Sequence, residues 1–186
     1  IPTFDRKEEL ISMLSSLNAQ IANNWKATIV IDDVQNEQNK KTEEIIESFN
    51  NPNFRYIFTG QRFGDWGHTP RQIGKQLSGS DYIVMTGDDN YYAPTLISLI
   101  NKVIEKDNAD FIYWDMVHSH YEYHYFSCHP HINQIDMGAF AFRATMGQQI
   151  VLGKTYAADG IFVDDFKYNF PNAKYVKIDK VLFVHN

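Results

Sequence analysis

Apolar positions along the chain follow two rhythms that alternate repeatedly. Leu10, Leu14, Leu17 and Ile21 recur at helical spacing behind Asp5-Arg6-Lys7-Glu8, which has capping-box spacing, so a helix is expected first. Residues 27–31, Ala-Thr-Ile-Val-Ile, form an apolar run of strand length that stops on Asp32-Asp33. A short helix is expected over 42–49, ended by Asn50-Asn51-Pro52-Asn53, then a strand over 55–59. Residues 60–68 read as a loop. Thr69-Pro70 then opens a helix, with Thr as cap and Pro at its first position. Residues 82–86 form a fourth strand that stops on Gly87-Asp88-Asp89, and Pro94 opens the next helix.

Strand and helix thus alternate through the first half, the pattern of a parallel sheet with helices on its faces. Beyond residue 110 the pattern loosens. Strands are expected at 111–114, 121–126 and 137–142, helices at 144–152 and 159–169, and closing strands at 175–178 and 181–184. The expected architecture is a single α/β domain over residues 1–186, with a nucleotide-binding half (1–92) and an acceptor and catalytic half (93–186). Ile1-Pro2-Thr3 reads like the end of a strand whose first half is missing, so a truncated amino terminus is expected.

Composition narrows the function. The chain is 44% hydrophobic with a formal net charge of −6, a folded domain whose acidic balance disfavours nucleic acid as a partner. Its single cysteine, Cys128, excludes an intramolecular disulfide and fits a reducing compartment. No apolar stretch is long enough to cross a bilayer. A cytoplasmic protein, at most peripheral to a membrane, is the expectation.

Candidate chemistry lies at the strand ends. Parallel strands bring their carboxyl ends to one edge, where open α/β folds bind ligands. Pro2-Thr3-Phe4-Asp5, Asp32-Asp33 and Gly87-Asp88-Asp89 would meet there. Phe4 offers a flat face for a nucleobase and Asp33 an acceptor for its edge. Asp88 and Asp89 suit a ribose hydroxyl and a metal-bridged diphosphate, because adjacent carboxylates are costly unless a cation joins them. Acidic strand ends are also common turn formers.

These strings resemble family-two glycosyltransferases of the GT-A fold. The resemblance rests on Ile1-Pro-Thr-Phe-Asp-Arg6, the strand ending at Asp33, Pro70-Arg71-Gln-Ile-Gly74, the run from Gly79 to Asp89, and a late acidic helix ending before a histidine. It implies a mostly parallel central sheet flanked by helices with a smaller mixed second half, a nucleotide-diphosphate sugar donor (a UDP-hexose favoured), a hydroxyl acceptor such as a saccharide, inversion, and Mn²⁺ or Mg²⁺. It places Pro2, Thr3 and Phe4 against the base, Asp33 on the base edge, Arg71 near base or phosphates, Asp88 on the ribose or a metal-bound water, and Asp89 on the metal. Gly87 departs from the family's Asp-x-Asp triplet, leaving two carboxylates. The family's base is an acidic residue at the start of a late helix. Asp159 is favoured over Asp164 and Asp165, which leave only about one helical turn behind them. His185 is a candidate metal ligand.

Other features stay open. His118, His120, His124, His129 and His131 match no structural zinc spacing, so a strand with a wet face or an acceptor-facing aromatic surface is expected. The loop containing Gly64 and Trp66 and the close approach allowed by Gly138 are further candidates. Rival functions are a catalytically silent nucleotide-sugar-binding module and a sugar-nucleotide pyrophosphorylase.

Overall fold

The computed structural model describes residues 1–186. Strands β1 (Pro2–Thr3), β2 (Ala27–Ile31) and β3 (Phe54–Phe58) form a parallel sheet in the order β1-β2-β3. Helix α1 (Lys7–Asn18) connects β1 to β2, and α2 (Glu37–Ser48) connects β2 to β3. Helix α3 (His68–Gln76) then leads to β4 (Tyr82–Val84). A mixed six-stranded sheet follows in the order β4-β8-β6-β9-β5, with β7 paired to β6. Its members are β4, β5 (Tyr91–Tyr92), β6 (Phe111–His118), β7 (His124–Phe126), β8 (Phe140–Arg143) and β9 (Tyr175–His185). Helices α4 (Leu96–Asp107), α5 (Ala144–Gly147) and α6 (Ala158–Asn169) complete the chain.

The α/β architecture expected from the sequence is present. Several elements differ, each for a local reason. Strand β4 is not hydrogen-bonded in the parallel sheet but pairs antiparallel with β8, Ile83 opposite Phe142. A three-residue apolar strand carries no signal for the direction of its partner. Helix α1 has no side-chain cap: Arg6 holds the cap position, and Asp5 adopts φ 50° and pairs with Lys7. Helix α2 starts at Glu37 because the Asn36 side chain accepts from Asn39 N at 3.0 Å. At α3 the capping carboxylate is Asp65, which accepts from Thr69 N (3.1 Å) and from Thr69 Oγ1 (2.5 Å). Residues 119–121 form a 3₁₀ turn and the expected strand over 121–126 shortens to His124–Phe126. Helix α5 ends at Gly147, and the two closing strands are one strand, β9.

One apolar cluster joins the halves of the chain, running from Leu10, Met13 and Leu14 of α1 through Ile29 and Phe111 to Phe162, Phe166 and Phe183. Phe111 stacks on Phe140 at 5.0 Å, and Phe142 meets Phe162 at 4.9 Å. These contacts hold α6 against the mixed sheet. Lys75 is buried in this layer. It donates to the carbonyls of Ile150 and Gly147, tying α3 to the segment after α5. No helix is long and apolar enough to cross a membrane.

Gly160 fixes how closely α6 approaches the loop before β8. A Cβ there would overlap the Ile132 backbone, and backbone cannot step aside as a side-chain tip does. Gly160→Ala is expected to lower unfolding stability by about 1–3 kcal/mol, the usual cost of overpacking, read from the urea midpoint. An unchanged midpoint would show that the loop can yield.

Candidate active site at the sheet edge

Arg71 lies at the first turn of α3, largely buried beneath the ends of β1 and β4. It donates to the carbonyls of Thr86 (3.2 Å) and Trp66 (2.8 Å). Around it, near enough to interact through charge, are Asp136, Asp89, Asp88 and Asp159, in that order of strength. These aspartates come from three distant segments: the turn after β4, the loop before β8, and the first turn of α6. The topology brings them together.

The carboxylates are strongly desolvated. Burial, joined by the neighbouring Asp136 charge, pushes the Asp159 carboxyl up to about 6. Asp159 sits in the first turn of α6 and accepts from Gly160 N at 2.7 Å, both of which favour its anion. Burial outweighs them. Asp136 is raised by burial against the opposing pull of His185 and Arg71. Asp88 is raised by burial too, against the opposing pull of Thr3 and Arg6, and its Oδ2 is buried without a partner. An unpartnered buried acceptor at a site entrance is an atom that a ligand or ion satisfies.

Asp89 is more open and pairs with Arg6, whose guanidinium also stands 3.5 Å from Asp88. Gly87, at the triplet's first position, lies close against these side chains. A Cβ there would lie 2.6 Å from Asp89 Oδ1 and 3.1 Å from Asn90 Nδ2, so a side chain would have to turn the Asp89 carboxylate aside.

The base-binding residues are arranged less simply. Pro2 and Thr3 are buried in β1, and Gly67 packs on Pro2, where a Cβ would come within 2.8 Å of the ring. The Arg62 guanidinium carbon stands 3.0 Å from the centre of the Phe4 ring. A base can therefore stack on that face only if Arg62 moves. Asp33 accepts from Asn39 Nδ2 (2.9 Å) and Val34 N (2.8 Å), and these bonds hold its carboxyl below the usual range. The neighbouring Asp32, buried, accepts from Phe63 N and Gly64 N at 3.0 Å each, anchoring the loop that carries Arg62.

His185 ends β9, with Nε2 3.7 Å from Asp136 Oδ2. Its ring stacks on His118, centroids 3.9 Å apart and planes 12° from parallel. Ligand atoms of His118, Asp136 and His185 all lie within 4.8 Å of one another. Burial lowers the His118 ring to about 4, so it is neutral at pH 7. In the sequence, Asp32 and Arg6 stand out only as members of the strand-end strings and His118 only among histidines of no zinc spacing, while Asp136 and Arg62 carry no motif. Asp164 points elsewhere, 3.7 Å from His131, and neither it nor Asp165 is among the carboxylates around Arg71. Trp66, in the loop before α3, is 82% exposed, and Lys154 holds Asp65 of that loop at 2.9 Å. Gly138 packs against the Phe183 ring inside the core, with Asp136 Oδ1 accepting its N–H at 2.8 Å.

A cavity of about 650 Å³ adjoins this constellation, in the seam between β2 and β4. Arg71 and Thr86 close its near end, and its walls include Leu17, Trp25 and Ile100. Its lining mixes apolar side chains with scattered polar ones such as Lys75, Asp81 and Glu105, whereas four carboxylates converge around Arg71 at the sheet edge, the stronger site candidate.

The fold is of the GT-A type. Residues 1–167 match the family described as Glycosyl transferase family 2, and the chain belongs to that family. An uncharacterized glycosyltransferase from Haemophilus influenzae is 25% identical over 114 residues, covering 61% of this chain and 36% of that protein. Among solved structures, S. aureus TarS 1–349 superposes with a TM-score of 0.79 at 14% identity, covering 100% of this chain and 58% of that one. The mannosyltransferase PcManGT from Pyrobaculum calidifontis, in complex with GDP-Man and Mn²⁺, gives 0.75 at 11% identity, covering 99% of this chain and 55% of that one. The chain thus spans about a third of its curated relative and little more than half of these solved chains.

Replacing Arg71 by Met keeps much of its bulk but removes the cation. The surrounding carboxyls would then titrate higher in the folded than in the unfolded chain, so the folded state binds more protons and stability falls as pH rises. Arg71→Met is expected to destabilise more at pH 7.5 than at pH 5, as measured by thermal unfolding at both values. A loss equal at the two pH values would reduce Arg71 to its carbonyl contacts.

Proposed function

We propose that this domain transfers a hexose from a nucleotide-diphosphate sugar, a UDP-sugar in first place, to an acceptor hydroxyl with inversion, in the building of a glycan or polysaccharide. The observation that carries the reading is the convergence on Arg71 of Asp88, Asp89 and Asp159, with Asp159 titrating near 6. The likeness to TarS, which has been solved with UDP and with UDP-GlcNAc, and to PcManGT with GDP-Man and Mn²⁺ supports the donor class.

In this reading Asp159 takes the proton from the attacking hydroxyl. A carboxylate with a pKa near 6 is a better base than an ordinary aspartate and is still ionised at pH 7. Arg71, at the amino end of α3, faces the diphosphate, where helix and guanidinium both favour negative charge. Asp88 holds the ribose through its unpartnered oxygen. Phe4, Pro2 and Thr3 border the base, Asp33 accepts from its edge, and Arg62 must leave the Phe4 face for stacking. Asp89 and His185 would hold a divalent cation, Mn²⁺ or Mg²⁺, whose chemistry there is to neutralise charge on the leaving diphosphate. The exposed rings of Tyr121, Tyr123 and Tyr125 on the β6–β7 hairpin offer a stacking surface for a saccharide acceptor. The reading treats residues 1–186 as one catalytic domain.

Asp159→Asn is expected to keep donor affinity while transfer falls about 100- to 10,000-fold, the usual worth of a positioned base. Calorimetric UDP titration beside a transfer assay separates the two effects, and wild-type turnover in this variant would remove Asp159 as the base. UDP binding without turnover in the wild-type chain would favour a binding module. Asp89→Ala is expected to abolish the gain in UDP affinity on adding Mn²⁺; an undiminished gain would take Asp89 out of the cation site.

A further inference from the structure

We propose that Arg62 is a built-in stand-in for the nucleobase: its guanidinium covers the Phe4 face in the free protein, and a base must displace it to bind. The guanidinium carbon lies 3.0 Å from the centre of the Phe4 ring. At that distance the group lies face-on, because an edge-on guanidinium would drive a nitrogen into the ring. A flat, delocalised cation with N–H donors on its edge stacks on an aromatic ring much as a base does. The Asp33 carboxylate, the proposed partner of the base edge, feels the same positive charge. One side chain thus engages both Phe4 and Asp33, and the inference rests on the transferase reading that gives those two groups to the base.

What opens is the side chain, not the loop. Asp32 accepts from Phe63 N and Gly64 N at 3.0 Å each, and Thr59 Oγ1 donates to Gln61 O at 2.6 Å, so the backbone is fixed on both sides of Arg62. Arg62 itself is exposed. Exposed side chains change rotamer within nanoseconds, so covered and open forms exchange rapidly and the contact acts on affinity rather than on rate. An exposed cation–π contact favours the covered form about two- to fivefold. Apparent affinity falls with the open fraction, so base binding is weakened about three- to sixfold. A base stacked on an aromatic ring gains about fivefold or more, enough to displace the guanidinium. A sugar phosphate without a base offers nothing to this face, so the contact screens the cleft in favour of nucleotides.

Arg62→Ala is expected to bind UDP and uridine each about three- to sixfold more tightly than the wild-type chain, measured by calorimetry and by NMR titration respectively. Uridine carries no phosphate, so an equal gain separates the ring contact from the loss of a charge near the diphosphate. The gain should vanish in a Phe4→Leu background, where no ring holds the guanidinium. Lys106→Ala, which removes a cation from the last turn of α4, should leave UDP affinity unchanged. As a check independent of variant folding, the Arg62 Nε–H resonance of the free wild-type chain should be shifted upfield by the Phe4 ring. Saturating UDP should remove that shift, and glucose 1-phosphate should not. Affinity in Arg62→Ala at or below that of the wild-type chain, a gain that survives in Phe4→Leu, no upfield shift in the free chain, or its removal by glucose 1-phosphate would overturn the proposal alone. Failure of the wild-type and Arg62→Ala chains alike to bind UDP, GDP or dTDP would instead remove the nucleotide reading, and this inference with it.

Discussion

A single largely buried guanidinium organises this molecule's chemistry. Arg71 is set among Asp88, Asp89, Asp136 and Asp159, and the only other arginine reaching the cluster is Arg6, from the rim. Fully ionised, four carboxylates would outnumber two guanidiniums in a partly desolvated pocket. Such an excess cannot stand without protonation or an added cation. The first response is visible. Asp88, Asp136 and Asp159 are all pushed towards their protonated forms, and Asp136 faces the stacked imidazoles. A site with surplus negative charge repels a diphosphate unless a cation joins them, which is why the proposed function and the proposed cation stand together.

The fold supplies this cluster through contacts that leave little freedom. Buried Asp32 pins two successive amides of the loop that carries Arg62 over Phe4. The close approach of Gly160 to Ile132 presses the first turn of α6 against the loop that leads to Asp136. The parallel register of β6 and β9 fixes the two histidines. Each is a packing or hydrogen-bonding constraint that takes no part in a reaction itself, yet each sets the position of a group that would act in one.

Much of this was legible from residue order. Strands that stop on Asp32-Asp33 and on Asp88-Asp89, and a helix opening at Thr69-Pro70-Arg71, signal a sheet edge lined with charge, because parallel strands share one polarity. The α/β class and the resemblance to family-two glycosyltransferases followed from those strings. What stayed hidden depended on pairing rather than on local pattern. His118 and His185 meet through a register spanning most of the second half, and no spacing rule reports it. Asp136 lies in a loop with no motif around it. The antiparallel partner of β4 is invisible in three apolar residues, and the capping role of Asp65 falls four positions before the Thr69 that it holds. The sequence alone also offered no sign that Arg62 covers Phe4.

The central claim is that a nucleotide diphosphate binds at this sheet edge between Arg71 and a cation. Its most direct test is anomalous diffraction at the manganese edge from crystals grown with UDP and Mn²⁺. The account predicts one strong anomalous peak beside His185, with the diphosphate density lying between that peak and Arg71. Nucleotide density in the seam between β2 and β4, or a manganese peak remote from the Arg71 cluster, would contradict it.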